Sequence, residues 1–136
     1  MDMMAPIRTT VQHRRRFFLR ADPAAAAEAR GHVRAAIGAW DLPIDAYVAA
    51  LLTSELVTNA ISHSPDRDDT VTLVISWGGD EMRVEVHDTS RSAPVLVAAP
   101  PDAETGRGLV LLDSLSTDWG FYETTTGKAV YFTLES

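Results

Sequence analysis

The 136-residue chain contains no cysteine. This excludes a disulfide scaffold, a cysteine-ligated zinc site and a thiol nucleophile. It also agrees with a reducing compartment. Long apolar runs are missing too, and the alanine-rich stretch is too short and too charged to span a bilayer. The opening "MDMMAPIRTTVQHRRRFFLR" has basic residues but no apolar stretch of signal-peptide length behind them. Positive charge is scarce overall: 12 Lys and Arg stand against 19 Asp and Glu, for a net −7. General nucleic-acid binding is therefore disfavoured, and the local cluster Arg14, Arg15, Arg16 reads as a solvated tail or strand edge. There is no internal repeat and no linker. The expectation is a cytoplasmic soluble protein with no membrane and no direct nucleic-acid partner.

What is present fits one domain, with 46% apolar and 23% charged residues. Residues 1–14 read as a flexible tail and 15–136 as the domain. "RRFFLR" (15–20) reads as a short strand. A helix follows, with Asp22 as N-cap and Pro23 at the first helical position, where a missing N–H costs nothing. Leu42-Pro43 breaks it, and a second helix runs from about Ile44 to His63. "TVTLVISW" and "EMRVEVHD" alternate, are rich in β-branched residues and flank the hairpin signal Gly78-Gly79-Asp80. Residues 89–106 form a long loop of the kind that serves as a lid. "GRGLVLLDSL" opens a third helix behind its glycines, and "DWGFYET" with "KAVYFTLE" makes a second hairpin. The expected fold class is an α+β two-layer sandwich: a mixed, mostly antiparallel sheet with helices on one face.

Chemistry concentrates in "SELVTNAISHSP" (54–65). At roughly 100° per residue, Glu55 and Asn59 lie about 40° apart on the second helix, with Val48 between them. Leu52 and Leu56 continue the same sector. Both polar groups thus sit on the margin of the apolar face, one turn apart, with His63 a turn further. A carboxylate there needs a partner or a role. A water-lined groove edge or a pairing with an arginine would satisfy it. A carboxylate plus an amide oxygen would also suit a hard cation such as Mg²⁺, and Glu55 alone would suit a general base. Asp88 ends a strand ahead of the long loop. It could cap that loop or accept a ligand N–H. Gly106 and Gly108 stand before a helix, where a backbone can approach phosphate, with Arg107 between them.

E-x-x-x-N on a helix, D-x-S after a strand and G-x-G before a helix are together far more specific than any one alone. In that order the chain resembles the ATP-binding domain shared by gyrase, the heat-shock chaperone ATPase, histidine kinases and mismatch-repair ATPases. Within that superfamily "SELVTNAISH" is most similar to the anti-sigma-factor serine/threonine kinases. The resemblance covers about residues 16–134. It implies ATP and Mg²⁺ as cofactors, with Asn59 holding the metal and Glu55 taking a proton from a partner's serine. It places His63 beside the nucleotide and Asp88, followed by Ser90, at the adenine amino group. It puts Gly106, Arg107, Gly108 and Leu109 along the phosphates, under a lid of residues 89–105. It implies as partners a sigma factor and an anti-anti-sigma antagonist protein, and it allows a homodimer.

Three positions depart from the family pattern. Asp88-Thr89-Ser90 replaces D-x-G. Glu104-Thr105 stands where an arginine precedes the glycine segment. Gly127-Lys128-Ala129 replaces a Gly-Thr pair, with Lys128 or Thr126 available to compensate. These departures leave open a regulator that binds ATP without phosphoryl transfer. A detached histidine-kinase-like domain is a third reading, opposed by the lack of a phosphoacceptor-helix context for His13, His32, His63 and His87. A two-layer domain without nucleotide is the fourth.

Overall fold

The computed structural model describes residues 11–62, 70–89 and 104–136, and of these 104–109 by backbone alone. Five strands and three helices follow one another as β1 (His13–Arg20), α1 (Ala25–Ala39), α2 (Ala46–Ser62), β2 (Thr70–Gly78), β3 (Glu81–Asp88), α3 (Glu104–Leu115), β4 (Asp118–Glu123) and β5 (Lys128–Glu135). The architecture is the expected α+β sandwich. The sheet, however, is antiparallel at every described pairing rather than mixed, in the order β1-β2-β3-β5-β4. The reason lies in the second hairpin. Its return strand β5, not β4, docks on β3. β5 is the apolar strand "KAVYFTLE", buried at six of its eight positions, whereas β4 is largely exposed. The strand that loses more water takes the interior place, and each neighbour then runs opposite to the next.

Local chemistry explains most element boundaries. Gly79 and Asp80 both have positive φ, 60° and 66°, the two-residue turn that matches strand twist in a hairpin. Asp45 starts α2: its Oδ1 accepts the backbone N–H of Tyr47 at 2.9 Å and of Val48 at 3.1 Å, satisfying two first-turn donors. The α2 start thus lies slightly inside the expected Ile44, and the expected end at His63 lies outside the described residues. α1 also starts later than Pro23. Asp22 Oδ1 accepts the Ala24 N–H at 2.9 Å, and the Asp22 carbonyl accepts the Ala25 N–H at 3.0 Å. That i to i+3 closure is a tight turn leading into the α-helix. β1 reaches His13, with the Gln12 N–H donating to the Trp77 carbonyl at 2.8 Å. α3 begins at Glu104, so Gly106 and Gly108 lie within its N-terminal part instead of ahead of it. Glycine early in a helix is a modest cost, about 1 kcal/mol against alanine.

All three helices lie over one face of the sheet. α2 packs on β2, β3 and β5 and touches α1 on one side and α3 on the other. Leu52, Leu56 and Val57 of α2 meet Val33 of α1 and Leu73, Ile75, Met82, Val84 and Phe132 of the sheet in one core, all at 1% exposure or less. Each such side chain contributes on the order of 2 kcal/mol by leaving water. The opposite sheet face is polar. Register places Arg83, Glu85, His87, Tyr122 and Tyr131 on it. Glu85 Oε2 accepts from Arg83 Nε at 2.6 Å, and its Oε1 accepts from the Tyr122 hydroxyl at 2.6 Å and lies 3.0 Å from His87 Nε2. The Arg83 guanidinium stacks over the Tyr131 ring at 3.9 Å.

Candidate functional site

The site starts with the margins of α2. Its buried positions, Ala49, Ala50, Leu52, Thr53, Leu56, Val57 and Ala60, form one broad stripe. Ser54 marks one edge of that stripe, where its Oγ accepts from an Arg30 guanidinium N–H at 2.7 Å and seals the seam with α1. Glu55 and Asn59 occupy the other edge, the side on which α3 packs, and both are half-buried. The apolar stripe is required for packing; the polar pair beside it is not. It faces away from the α1 seam.

Topology brings three further parts to the same end of the sheet. α2 ends at Ser62 and β2 begins at Thr70, so the α2 C-terminus lies near the start of β2. Register sets Thr72 opposite His87 and Asp88 opposite Lys128. The end of β3 and the start of β5 therefore share that end. α3 leads into β4, whose first residue pairs with Thr133 near the far end of β5. Its twelve residues span about 18 Å, so its N-terminus returns to the Asp88 end. The C-terminal part of α2, the Asp88–Lys128 rung and the first turn of α3 thus lie toward the same end of the sheet.

Asp88 is held on every side. Lys128 Nζ donates to its Oδ2 at 2.8 Å, and both side chains are 2% exposed. Gly127 packs against the backbone that follows: a Cβ on it would stand 2.0 Å from the Asp88 carbonyl oxygen and 2.6 Å from Thr89 Cα. Gly127 is itself fixed by Thr124, whose Oγ1 accepts the Gly127 N–H at 3.0 Å and whose own N–H donates to the Gly127 carbonyl at 2.9 Å. Only glycine admits so close a crossing of two chain segments. The Gly-Lys departure is thereby explained in part: the glycine keeps its spacing role, and the lysine supplies the counter-charge to Asp88.

Two side chains, Glu55 and Asn59, are too few to cage an ion. Among the described residues no group of three or more His, Asp or Glu could hold one either. Hard oxygen donors in that number suit a cation that arrives with phosphate and keeps its waters. Of the phosphate segment, Gly106 lies in the first helical turn, where backbone N–H groups have no acceptor within the helix. Arg107 stands at the edge of that turn. Gly108 and Leu109 lie beyond it, and their N–H groups belong to the helix's internal ladder. His63, Ser90 and residues 90–103 of the expected lid lie outside the described residues, while Glu104 and Thr105, expected in that lid, open α3 because the helix starts ahead of its glycines.

Sequence reading missed the pairing of Asp88 with Lys128, which only the β3–β5 register reveals. Among the described residues, His13, His32 and His87 stand in no phosphoacceptor bundle. His13 stacks on Trp40 with ring centroids 5.0 Å apart, His32 stacks on Phe17 at 3.7 Å, and His87 lies on the polar sheet face.

An antiparallel sheet under three helices, with a polar row on the middle helix and a buried carboxylate at the strand end, defines an α+β two-layer domain. The model of the histidine kinase-like ATPase domain family matches residues 19–134. The chain belongs to that family, and so is an ATP-binding domain of that type. No curated protein matches it. Among the described residues no helix is long and apolar enough to cross a membrane.

Proposed function

We propose that the chain is a cytoplasmic serine/threonine protein kinase of the anti-sigma type. It binds Mg-ATP, passes the γ-phosphate to an antagonist protein, and sequesters a sigma factor. The observation that carries the reading is the half-buried Glu55–Asn59 row on the α3 side of α2, at the end of the sheet where Asp88 is buried.

Asn59 would contribute an oxygen to Mg²⁺, and the bound ion would neutralise charge on the phosphates. Asp88 accepts from the exocyclic amino group of adenine. The first-turn N–H groups of α3, Gly106 among them, donate to phosphate oxygens. Glu55 takes the proton from the partner's serine hydroxyl as its oxygen bonds to the γ-phosphorus. The bond from that phosphorus to the bridging oxygen breaks, and ADP leaves. The protein's share of such a transfer is positioning and charge stabilisation.

Two measurements test this. Millimolar Mg-ATP should raise the melting temperature, because a ligand that binds only the folded state stabilises it. Labelled ATP should then transfer phosphate to a small antagonist protein, and Glu55→Gln should abolish transfer while ATP remains bound. Binding without transfer to any antagonist argues against the kinase.

That last outcome would favour a second reading, a regulator for which nucleotide is a structural switch. Its support is the neutralised, fully buried Asp88–Lys128 pair in place of the family's Gly-Thr. Regulation in cells that survives Glu55→Gln would establish it.

A further inference from the structure

Lys128 is among the largest side chains in the fully buried interior, at 2% exposure. An ammonium carries three donor hydrogens. Among the described residues Lys128 meets one acceptor, Asp88 Oδ2. The carboxylate facing it from the other neighbouring strand, Glu123, is its rung partner on β4 but is exposed and makes no described bond to it. Among the described residues two donors of this buried cation thus have no acceptor, in a protein interior where polar hydrogens are nearly always paired. Neutralising Asp88 needs only one.

These donors sit beside the carboxylate assigned above to the base. We propose that Lys128 is a base-reading residue: its ammonium donates to the ring nitrogen N1 of adenine while Asp88 accepts from the adjacent amino group. The proposal rests on the ATP-binding reading of this same site. Adenine presents a donor and an acceptor side by side on that edge. The Asp88–Lys128 pair presents the complementary acceptor and donor on one rung of the sheet. Guanine in the same pose inverts both, setting a carbonyl oxygen against Asp88 and an N–H against Lys128. Each group then discriminates, because a site built to hydrogen-bond leaves its own polar atoms unpaired when the wrong edge enters. The base must displace what now packs over the pair, and the contacts form away from water, where they are strongest.

The test uses the full chain with ATP, GTP and 1-deaza-ATP, in which N1 is replaced by C–H. Calorimetry should show 1-deaza-ATP binding about 10- to 100-fold more weakly than ATP, the range for losing one charge-assisted hydrogen bond. GTP should be at least as weak. In Lys128→Met the gap between ATP and 1-deaza-ATP should close. A lysine that merely neutralises Asp88 would leave ATP and 1-deaza-ATP equal in the wild-type chain, and that result overturns the proposal. GTP binding as tightly as ATP does so as well. If Lys128→Met does not fold, the wild-type comparison still decides. If the wild type binds no ATP at all, the ATP-binding reading fails first and this inference falls with it, whereas tight ATP binding with no 1-deaza penalty removes this inference alone.

Discussion

Gly127→Ala adds one methyl group at the point where two chain segments cross. Its Cβ would stand 2.0 Å from the Asp88 carbonyl oxygen, with Thr89 Cα at 2.6 Å and the Asp88 carbonyl carbon at 2.8 Å. Ordinary contact begins at 3.4 Å, so something must move by more than an ångström. All three atoms are backbone, and no side-chain rotation relieves them. Gly127 is also tied at both its N–H and its carbonyl to Thr124. Overpacking of this kind costs about 1–3 kcal/mol; rigid backbone on both sides puts the expected loss near the top, about 3 kcal/mol. For a chain of this length that lowers the melting temperature by about 10 °C. The displaced segment carries Asp88, so its ion pair with Lys128 loosens and Mg-ATP stabilisation falls as well. Urea denaturation reads the first effect and thermal shift with Mg-ATP the second. Gly31→Ala is the control: the residue is in α1, with nothing within 4 Å of its notional Cβ, and the change should stabilise by about 0.5–1 kcal/mol. If Gly127→Ala stays within about 0.5 kcal/mol of the parent and keeps its ATP response, the close crossing does not exist and the account of Asp88 placement fails.

Three further outcomes follow from the structure. Burial alone would raise the Glu85 carboxyl, but hydrogen bonds from His87, Tyr122 and Arg83 outweigh it and bring it from 4.5 down to about 2. The carboxylate's contribution is thus complete above pH 4.5 and lost as pH falls toward 2; Glu85→Gln should flatten stability across that window in urea titrations. Burial, then the Glu85 carboxylate that accepts its proton, pushes Tyr122 from 10 up to about 12. Its share is full below pH 10 and lost as pH rises through that range, so Tyr122→Phe should remove the alkaline limb. Leu52→Ala on α2, at 0% exposure, should cost about 2–5 kcal/mol while leaving the ratio of ATP to GTP affinity unchanged; a changed ratio would mean that α2 packing reaches the base site.

Much of the fold was legible because its signals are short-range. The turn at Gly79-Asp80 needs positive φ at two adjacent positions, and its residue types announce that. The alternation of β2 and β3 and the apolar stripe of α2 are written in residues two to four apart. Glu55 and Asn59 stand out for the same reason, as polar groups on the margin of a stripe whose period is local. The helix starts were less legible. Asp45 caps α2 as a side chain, but the expected Asp22 cap is displaced: it closes the turn ahead of α1, whose N-cap position is Ala24 without a side-chain cap, and α3 begins ahead of its glycines because the backbone tolerates them there.

What no local pattern could reveal is which strand neighbours which. The insertion of β5 between β3 and β4 makes the sheet wholly antiparallel, and it decides the pairings that matter for function. Asp88 meets Lys128 across 40 residues, and Glu85 meets the Tyr122 hydroxyl across 37. Register is set by the burial of whole strand faces, a property summed over many residues. The element order, the polar row on α2 and the turn chemistry were therefore present in the chain from the start. The buried counter-charge to Asp88, and the lack of room for any side chain at Gly127, exist only once the sheet has closed around them.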